Sequence, residues 1–355
     1  MRMVSPAERL RRTIAAAGPM PFARFMEEAL YGEGGYYRRS ESPIGKRGDF
    51  ITGASFSSLF GSATARLLKR LDKEIGRPAD FFEVGYGTGA HLRDLLAALG
   101  DETGRRVLAC DRVQQPVPAG VELVDSVTGL DPRGLQGLIF SYELFDALPV
   151  HRLIGRADGE LGELWVDMAA DGRFEYVQSE LFDPSLEDLL GEDSRGLLPG
   201  QIADVSPGWK PLYRQLAERL DRGLLLTFDY GFDRLRLFDP RVRSHGTLAC
   251  YRRHRVHRNA LSDVGEQDLT AHVDFTALQE AGEEVGLQTL SFTRQARWLL
   301  ACGVFGELQA ADQETRLQAA TLLNPGGMGE EMRLLVQGRD IKAETLFDME
   351  VLGSA

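Results

Sequence analysis

Short, continuous runs of apolar residues alternate with helical stretches along the middle of this chain. Five of these runs are predicted to be strands, over residues 81–84, 107–110, 121–124, 138–141 and 224–228. Helical patterns lie between them, from Gly89 to Leu99 and from Pro211 to Leu220. Apolar strands that are separated by helices form parallel sheets covered by helices on both faces. The pattern therefore predicts an α/β fold with a doubly wound parallel sheet.

The residues before the first of these strands are predominantly helical. Two helices are predicted on either side of a break at Gly18-Pro19, and a third is predicted over residues 60–75. A long stretch rich in glycine and serine separates the second helix from the third, and loops of that length are usually functional. We therefore predict an N-terminal helical and lid region over residues 1–78 and a main domain over 79–355.

The main domain is expected to carry two inserts, near residues 157–200 and 233–270. The first insert is acidic, and its alternating stretch over residues 163–167 is predicted to form an edge hairpin. The second insert is rich in arginine and histidine, and the chain closes with helices and a last strand at 334–336.

Composition excludes several classes of function. The chain has 53 acidic and 41 basic residues and a formal net charge of −12, which disfavours a general binder of nucleic acid or of an anionic membrane. The three cysteines, Cys110, Cys250 and Cys302, match no zinc-binding spacing and are expected to be reduced and buried. No apolar run reaches the ~18 residues that a membrane span requires. We expect a cytoplasmic protein without a metal site, and a homodimer is an open possibility.

A glycine-rich turn follows the first strand of the predicted sheet. Gly85, Gly87 and Gly89 alternate between this strand and the next helix, and such a turn lets the backbone approach a ligand closely. Asp111 ends the second strand, where a ribose-binding acid is expected. The pattern alone fits either a nicotinamide dinucleotide or S-adenosylmethionine. Glu83 favours S-adenosylmethionine, because a carboxylate attracts its cationic sulfonium and repels a diphosphate.

Further short motifs are scattered through nearly the whole chain. They occur at residues 22–26, 35–37, 48–52, 59–61, 143–150, 229–231, 246–248, 251–252, 268–275 and 324–329. In their order and number, they make the sequence resemble the MidA-like family of class I S-adenosylmethionine-dependent methyltransferases. This resemblance implies a Rossmann-like, mostly parallel, seven-stranded sheet. The mitochondrial member of that family is a complex I assembly factor that methylates a protein arginine, so the resemblance also implies a protein acceptor.

The resemblance implies a cofactor site for S-adenosylmethionine that is built largely from loops. Its predicted residues are Asp49, Thr52, Glu83, Gly85, Tyr86, Gly87, Thr88, Gly89, Asp111, Asp125, Ser126, Ser141 and Tyr142. Asp49 and Thr52 belong to a predicted lid over residues 45–52. Asp111 would bind the ribose hydroxyls, whereas Asp125 and Ser126 would flank the adenine by position. The chain departs from the family at Tyr86, where proline is usual, at Ala90, where a hydroxyl residue is usual, and at Tyr142, where asparagine is usual.

The acceptor is expected at the end of the fourth strand. A guanidinium has a pKa above 12, so methylating it requires carboxylates that grip it and localise its charge away from the attacking nitrogen. Glu143 and Asp146 follow the fourth strand and are the predicted pair, although Asp146 could equally cap the next helix or turn. His272 is a candidate base or substrate contact, and a hydrogen-bonded core histidine is the alternative.

Three other functions are compatible with the sequence. A methyltransferase of the same fold could act on a small molecule, with Tyr86 and Tyr142 reshaping the pocket. The glycine spacing and Asp111 also fit a nicotinamide-dependent oxidoreductase, and a non-catalytic assembly factor could keep the fold. Finally, the basic stretch over residues 252–258 either receives an acidic peptide or is simply a solvated insert.

Overall fold

The computed structural model describes residues 4–39, 53–100, 104–191, 196–309, 311–324 and 331–353. The predicted lid over residues 45–52 lies outside these ranges. Within them, the α-helices are α1 (Pro6–Ala17), α2 (Phe22–Tyr31), α3 (Gly53–Phe56), α4 (Leu59–Ile75), α5 (Ala90–Leu99), α6 (Trp209–Arg219), α7 (Arg234–Leu237), α8 (Pro240–Arg243), α9 (Phe275–Glu284), α10 (Gln295–Ala301), α11 (Val304–Leu308), α12 (Gln313–Leu323), α13 (Ala343–Leu346) and α14 (Met349–Leu352).

The strands are β1 (Met20–Pro21), β2 (Asp80–Val84), β3 (Val107–Cys110), β4 (Glu122–Leu123), β5 (Leu135–Tyr142), β6 (His151–Gly155), β7 (Leu161–Met168), β8 (Phe174–Ser179), β9 (Ile202–Val205), β10 (Leu220–Phe232), β11 (Ala249–Arg252), β12 (Arg255–His257), β13 (Asp268–Thr270), β14 (Val273–Asp274), β15 (Gln288–Arg294) and β16 (Met332–Arg339). The five predicted strands correspond to β2, β3, β4, β5 and β10, and the predicted last strand corresponds to β16.

The chain divides into two compact units, each built from three stretches of sequence. The sheet unit comprises the described residues within 51–144, 210–230 and 277–355. The insert unit comprises those within 1–50, 145–209 and 231–276, and it contains both predicted inserts. The predicted domain boundary at residue 78 stays a prediction.

The sheet unit is organised around a mostly parallel sheet in the strand order β15-β16-β10-β5-β2-β3-β4. The strands β10, β5, β2, β3 and β4 run parallel to one another, whereas β16 is antiparallel to both β10 and β15. The central strands β2 and β5 are almost entirely buried, as expected of a sheet that is covered on both faces. This arrangement confirms the predicted class I methyltransferase fold.

Helix α4 supplies much of the apolar surface that packs against this sheet. Phe60, on α4, is fully buried, stacks on Trp298 at a ring-centroid distance of 5.5 Å, and meets the edge of Phe228 at 5.7 Å. The helix ends where Gly76 adopts a left-handed conformation (φ 86°), and the Gly76 N–H closes the last turn on Asp72. The sequence predicts both the apolar face of α4 and its end.

The insert unit contains an antiparallel sheet in the order β1-β7-β6-β9, with β8 also paired to β7. Residues 163–167 form hairpins with β6 and β8, as predicted, but the predicted edge position is wrong, because β7 lies inside this sheet. Strand β8 pairs along one edge of β7, while β6 and β1 share the other. A smaller sheet in the order β12-β11-β13 completes the described strands of this unit, apart from β14, which pairs with Gly231 and Phe232 of β10.

The cysteines are free and buried, as the sequence predicts. Burial raises the pKa of Cys110 to about 11 and the pKa of Cys250 and Cys302 to about 12. Their thiols are therefore protonated near neutral pH and poorly nucleophilic. Among the described residues, every helix is too short or too polar to cross a membrane.

We expect Phe60→Ala to lower the free energy of unfolding by about 3–5 kcal/mol, because it removes a fully buried ring from an aromatic cluster. Urea denaturation followed by circular dichroism measures the change. Phe305→Ala is the control: this ring is 64% exposed, and its loss should change stability by no more than about 0.5 kcal/mol. Equal effects of the two substitutions would contradict the packing described for Phe60.

Candidate active site

The carboxyl ends of neighbouring strands meet at one edge of the parallel sheet. Val84 of β2 pairs with Cys110 of β3 and with Ser141 of β5, and Tyr142 of β5 pairs with Phe228 of β10. The residues that follow these positions are Gly85, Asp111, Glu143 and Asp229. Ligands of open α/β sheets bind outside such an edge. The sheet unit thus brings together the glycine turn, the predicted ribose-binding acid and the first predicted acceptor-binding carboxylate.

The glycine turn adopts a conformation that glycine accommodates readily. Gly85, Gly87 and Gly89 have φ values of 76°, 53° and 67°. The Gly85 N–H donates to Cys110 O and the Gly89 N–H donates to Tyr86 O, both at 2.8 Å. A Cβ atom at Gly85 would lie 3.0 Å from Leu144 Cδ1, so the turn also needs a small residue on that side. Helix α5 begins directly after the turn, and its first N–H groups lack partners within the helix.

Asp111 is fixed by the main chain on both sides. Its Oδ2 accepts from the Gly87 N–H and its Oδ1 accepts from the Val113 N–H, both at 2.9 Å. Burial raises the pKa of Asp111, and these hydrogen bonds oppose the increase. The Arg112 main chain donates to this carboxylate as well. A carboxylate has about four acceptor positions, so acceptor capacity for a ligand hydroxyl remains after these three main-chain donors. The geometry therefore fits a carboxylate that receives hydroxyl donors.

Tyr86 points its ring into the hydrophobic core of the sheet unit. Its hydroxyl donates to Gln115 O at 2.7 Å and accepts from the Gln115 N–H at 2.8 Å. The side chain therefore ties the glycine turn to the segment after β3. Next to it, the Thr88 carbonyl accepts from Arg93 Nη1 at 2.9 Å, which fastens the turn to α5.

Glu83 belongs to a buried polar chain behind the turn. Its Oε2 lies 2.9 Å from His91 Nδ1, and His91 Nε2 lies 3.1 Å from Thr64 Oγ1. All three side chains are buried, and the His91 ring stacks on Phe140 at 4.4 Å. When Glu83 is ionised it only accepts, so Nδ1 donates to it, and Thr64 Oγ1 completes the chain at Nε2. The cofactor role of Glu83 stays a prediction, and His91 and Thr64 are contacts that the sequence analysis missed.

The predicted adenine-flanking residues lie on the surface beyond β4. Asp125 and Ser126 are both exposed, and Asp125 Oδ1 accepts from Gln114 Nε2 at 3.3 Å. The negative charge of Asp125 contributes, after burial and Asp111, to the raised pKa of Cys110. Asp125 and Asp111 thus act electrostatically on the same thiol, and both lie on the β3 side of the glycine turn.

Ser141 and Tyr142 end β5 and use their hydroxyls within the protein. Ser141 Oγ donates to Thr227 Oγ1 at 3.2 Å inside the sheet. The Tyr142 hydroxyl donates to Gln295 Oε1 at 2.6 Å and accepts a hydrogen bond from the Gly53 main chain. Burial, and then the charge of Glu143, raise the pKa of Tyr142 well above its ordinary value, so the hydroxyl stays protonated. Tyr142 therefore joins β5 to the starts of α3 and α10.

Glu143 has a left-handed backbone conformation (φ 50°), which is unusual for a residue other than glycine. Strand β10 holds this turn: the Glu143 N–H donates to Phe228 O at 2.9 Å, and the Leu144 N–H donates to Asp229 Oδ2 at 3.2 Å. Asp229 is fully buried, and its Oδ1 accepts from the Tyr230 N–H. Asp229 lies in the motif at 229–231, but no sequence pattern predicted its role in shaping the Glu143 turn.

The remaining predicted acceptor residues belong to the insert unit. Asp146 is buried, and its carbonyl oxygen accepts from the Ala271 N–H at 3.0 Å. The His272 N–H donates to Thr247 Oγ1 at 3.1 Å. These bonds place Asp146 and His272 on adjoining segments of the unit. Asp49 and Thr52, in contrast, lie outside the described residues.

Two further residues of the insert unit share this environment and were missed by the sequence analysis. The Tyr37 hydroxyl donates to Asp268 Oδ1 at 2.9 Å. Burial raises the pKa of Tyr37 well above its ordinary value, and the charges of Asp268 and Asp146 add to the increase. Both residues occur in the motifs at 35–37 and 268–275, which was the available signal.

A buried ion pair shapes the loop that carries Thr247. Arg152 Nε donates to Asp204 Oδ1 at 2.9 Å, and both side chains are buried. Asp204 Oδ2 accepts from the N–H groups of Thr247 and Leu248, at 2.6 and 2.9 Å. The Thr247 main chain is thus held by Asp204, and its hydroxyl in turn holds the backbone of His272.

Comparison with known proteins identifies a family and several relatives. Residues 114–293 match a family model described as "Putative S-adenosyl-L-methionine-dependent methyltransferase". The chain is 28% identical to the Drosophila melanogaster "Protein arginine methyltransferase NDUFAF7 homolog, mitochondrial" over 327 residues, which cover 79% of this chain and 71% of the relative. It is 27% identical to the Danio rerio protein arginine methyltransferase NDUFAF7 over 372 residues, which cover 91% and 84%.

Two solved structures are similar to this chain over nearly its whole length. A Burkholderia thailandensis protein bound to S-adenosyl-homocysteine superposes with a TM-score of 0.83 at 28% identity, covering 95% of this chain and 92% of that one. A native crystal structure from the same organism gives a TM-score of 0.83 at 27% identity, with coverage of 97% and 94%.

We expect His91→Leu to lower the free energy of unfolding by about 3 kcal/mol, because it leaves the buried Glu83 carboxylate without its imidazole partner. Urea denaturation at pH 7.5 measures the change. The double substitution Glu83→Leu with His91→Leu should recover part of the loss, since no charge is then left unpaired. A double variant that is less stable than His91→Leu would contradict this account.

Proposed function

This chain belongs to the family of S-adenosyl-L-methionine-dependent methyltransferases, and we propose that its methyl acceptor is an arginine side chain of a protein. The protein is an S-adenosylmethionine-dependent methyltransferase. The proposal for the acceptor is supported by relatives that are named protein arginine methyltransferases. Family membership also overturns the nicotinamide-dependent alternative, which rested on glycine spacing and Asp111 alone.

The observation that carries the proposed acceptor chemistry is the left-handed turn at Glu143. Non-glycine residues in this conformation cost on the order of 1–3 kcal/mol and cluster at active sites. Two hydrogen bonds to β10, through Phe228 O and Asp229 Oδ2, keep the turn in place at the carboxyl edge of the sheet. The fold thus holds a half-buried carboxylate beside the glycine turn at a cost in stability.

The residues at the glycine turn fit the cofactor. Glycine leaves the turn without side chains at positions 85, 87 and 89, and the acceptor capacity that Asp111 keeps beside its main-chain donors suits a ribose hydroxyl. The chain has Tyr86 where the family usually has proline. The Tyr86 ring lies in the core and its hydroxyl is bound to Gln115, so this ring does not cover the glycine backbone. When bound, the cofactor supplies an electrophilic methyl group on a sulfonium.

The chain's own residues would then orient the acceptor and manage its proton. In our proposal Glu143 accepts from the guanidinium N–H groups, which fixes the plane of the group and localises its charge. Asp146, three residues later in the sequence, is the proposed second carboxylate. Transfer requires the attacking nitrogen to lose a proton, and Glu143, or His272 in the alternative assignment, is the proposed recipient.

The decisive experiment identifies the acceptor. The purified protein and S-adenosylmethionine with an isotopically labelled methyl group are added to a lysate from cells that lack this protein. Mass spectrometry then locates the label. Label on arginine supports the proposal, whereas label on a small molecule supports the alternative acceptor class. A protein that binds the cofactor but transfers no label would support the non-catalytic alternative. Cytoplasmic location and a homodimer remain proposals from the sequence.

We expect Glu143→Gln to leave cofactor affinity within about twofold of the wild type and to lower kcat by about 100-fold, the lower end of what a positioned acid–base group contributes. Isothermal titration calorimetry and a labelled-methyl assay measure the two quantities. Glu122→Gln, which changes an exposed carboxylate on β4, should leave both unchanged. Full activity of Glu143→Gln would exclude the proposed grip.

We expect Asp111→Asn to weaken binding of S-adenosylhomocysteine by about tenfold or more at pH 7.5, the loss expected for one hydrogen bond to a charged group. Burial raises the pKa of Asp111 above the ordinary carboxyl value of about 3.9. As the pH falls, Asp111 therefore becomes protonated at pH values above that ordinary range, and wild-type affinity for S-adenosylhomocysteine should decrease there. Calorimetry across pH tests this. The Asn variant should lose that part of the pH dependence, and the exposed control Asp131→Asn should keep it.

A further inference from the structure

The insert unit carries an exposed hairpin with a strained tip. Strands β11 and β12 are antiparallel, and the last residue of β11, Arg252, pairs with the first of β12, Arg255. Only Arg253 and His254 connect them, and their φ values are 49° and 60°. Two-residue hairpin loops in which both φ values are positive strongly prefer Asn-Gly, Asp-Gly or Gly-Gly. We refer to residues 249–258 as the basic hairpin.

Arg253 and His254 are not among the residues that this type of turn prefers. Histidine is tolerated in the left-handed region better than most residues, but arginine has no such advantage. A turn that breaks a local preference is commonly found at a functional site, where the surrounding residues carry the function.

The basic hairpin concentrates positive charge on an acidic protein. Arg253, Arg255 and Arg258 are exposed, within a chain whose formal net charge is −12. Arg252 is neutralised by Asp263 and Glu266. Within the part of the chain that the structure describes, neither Arg255 nor Arg258 forms an ion pair.

The hairpin also presents an open sheet edge. The small sheet has the order β12-β11-β13, so β12 is an outer strand, and no other described strand pairs with its far side. Val256 on this strand is 63% exposed. An extended peptide can add to such an edge through main-chain hydrogen bonds, while neighbouring side chains select its sequence.

We propose that the basic hairpin is a docking site for an acidic segment of a partner protein. The segment lies in extended form along β12, with its carboxylates on Arg253, Arg255 and Arg258. This interaction surface goes beyond methyl transfer and does not depend on the identity of the acceptor residue. A nucleic acid is the weaker candidate, because its binding draws on many phosphate contacts across a broad basic surface, and the remainder of this chain is acidic.

The direct test is the affinity of a fluorescein-labelled hexaglutamate peptide, measured by fluorescence anisotropy at 50 mM salt. The wild type should bind it, and Arg255→Gln with Arg258→Gln should weaken binding about tenfold, as expected when two exposed ion pairs are lost. Arg173→Gln with Arg241→Gln is the matched control. It removes two arginines of the insert unit whose side chains are 83% and 86% exposed, and it should bind as the wild type does.

A second variant separates the turn from its charges. Arg253→Asn with His254→Gly supplies the preferred turn residues and removes one guanidinium. It should raise Tm, because the strain is relieved, and it should weaken peptide binding. If the hairpin had only a structural role, this variant would gain stability and bind the peptide as tightly as the wild type.

Several results would overturn the proposal. These are a wild type that does not bind the peptide, a variant of Arg255 and Arg258 that binds as well as the wild type, and a control variant that loses as much affinity. Tighter binding of a single-stranded hexanucleotide than of the peptide would assign the surface to nucleic acid instead. Because the assay needs neither cofactor nor methyl transfer, its failure leaves the proposed acceptor untouched.

Discussion

The parallel pairing of β2 with β3 and β5, and of β5 with β10, is the constraint on which the site depends. The parallel hydrogen-bond ladders and the helices that cover both faces hold these strands in their alignment. With the register set, the strands end together, and the turns that follow them become neighbours. Every chemical group proposed in the sheet unit follows from this alignment.

Polar groups buried behind this edge keep the turns in one conformation. Glu83 is bound through His91 to Thr64, Ser141 is bound to Thr227, and Asp229 accepts from the turn after β5. Each group would be costly to bury without its partner, so the arrangement tolerates few alternatives. The result is a rigid support beneath turns that are themselves strained or built from glycine.

Much of the sheet could be predicted because its strands are short, apolar and separated by helical periodicity. Residues 107–110 match β3 over its full length, and the glycine turn locates the start of α5. The insert unit is harder to predict, because β7 alternates like a surface strand although β8 pairs along one of its edges and β1 and β6 pair along the other. The Tyr142 hydroxyl bonds to Gln295, which is 153 residues away in sequence, and no local sequence pattern predicts such a contact. The same holds for the link from Leu144 to Asp229.

The contact between Leu144 and Gly85 has an evolutionary consequence. A Cβ atom at position 85 would lie 3.0 Å from Leu144 Cδ1, so the space available to one residue is set by the size of the other. The two positions are separated by 59 residues in sequence, yet they meet in the fold. A Cβ atom at 85 would make Leu144 shift by a few tenths of an ångström, and the φ of 76° would still strain the backbone, so glycine should persist at 85 whichever apolar residue occupies 144.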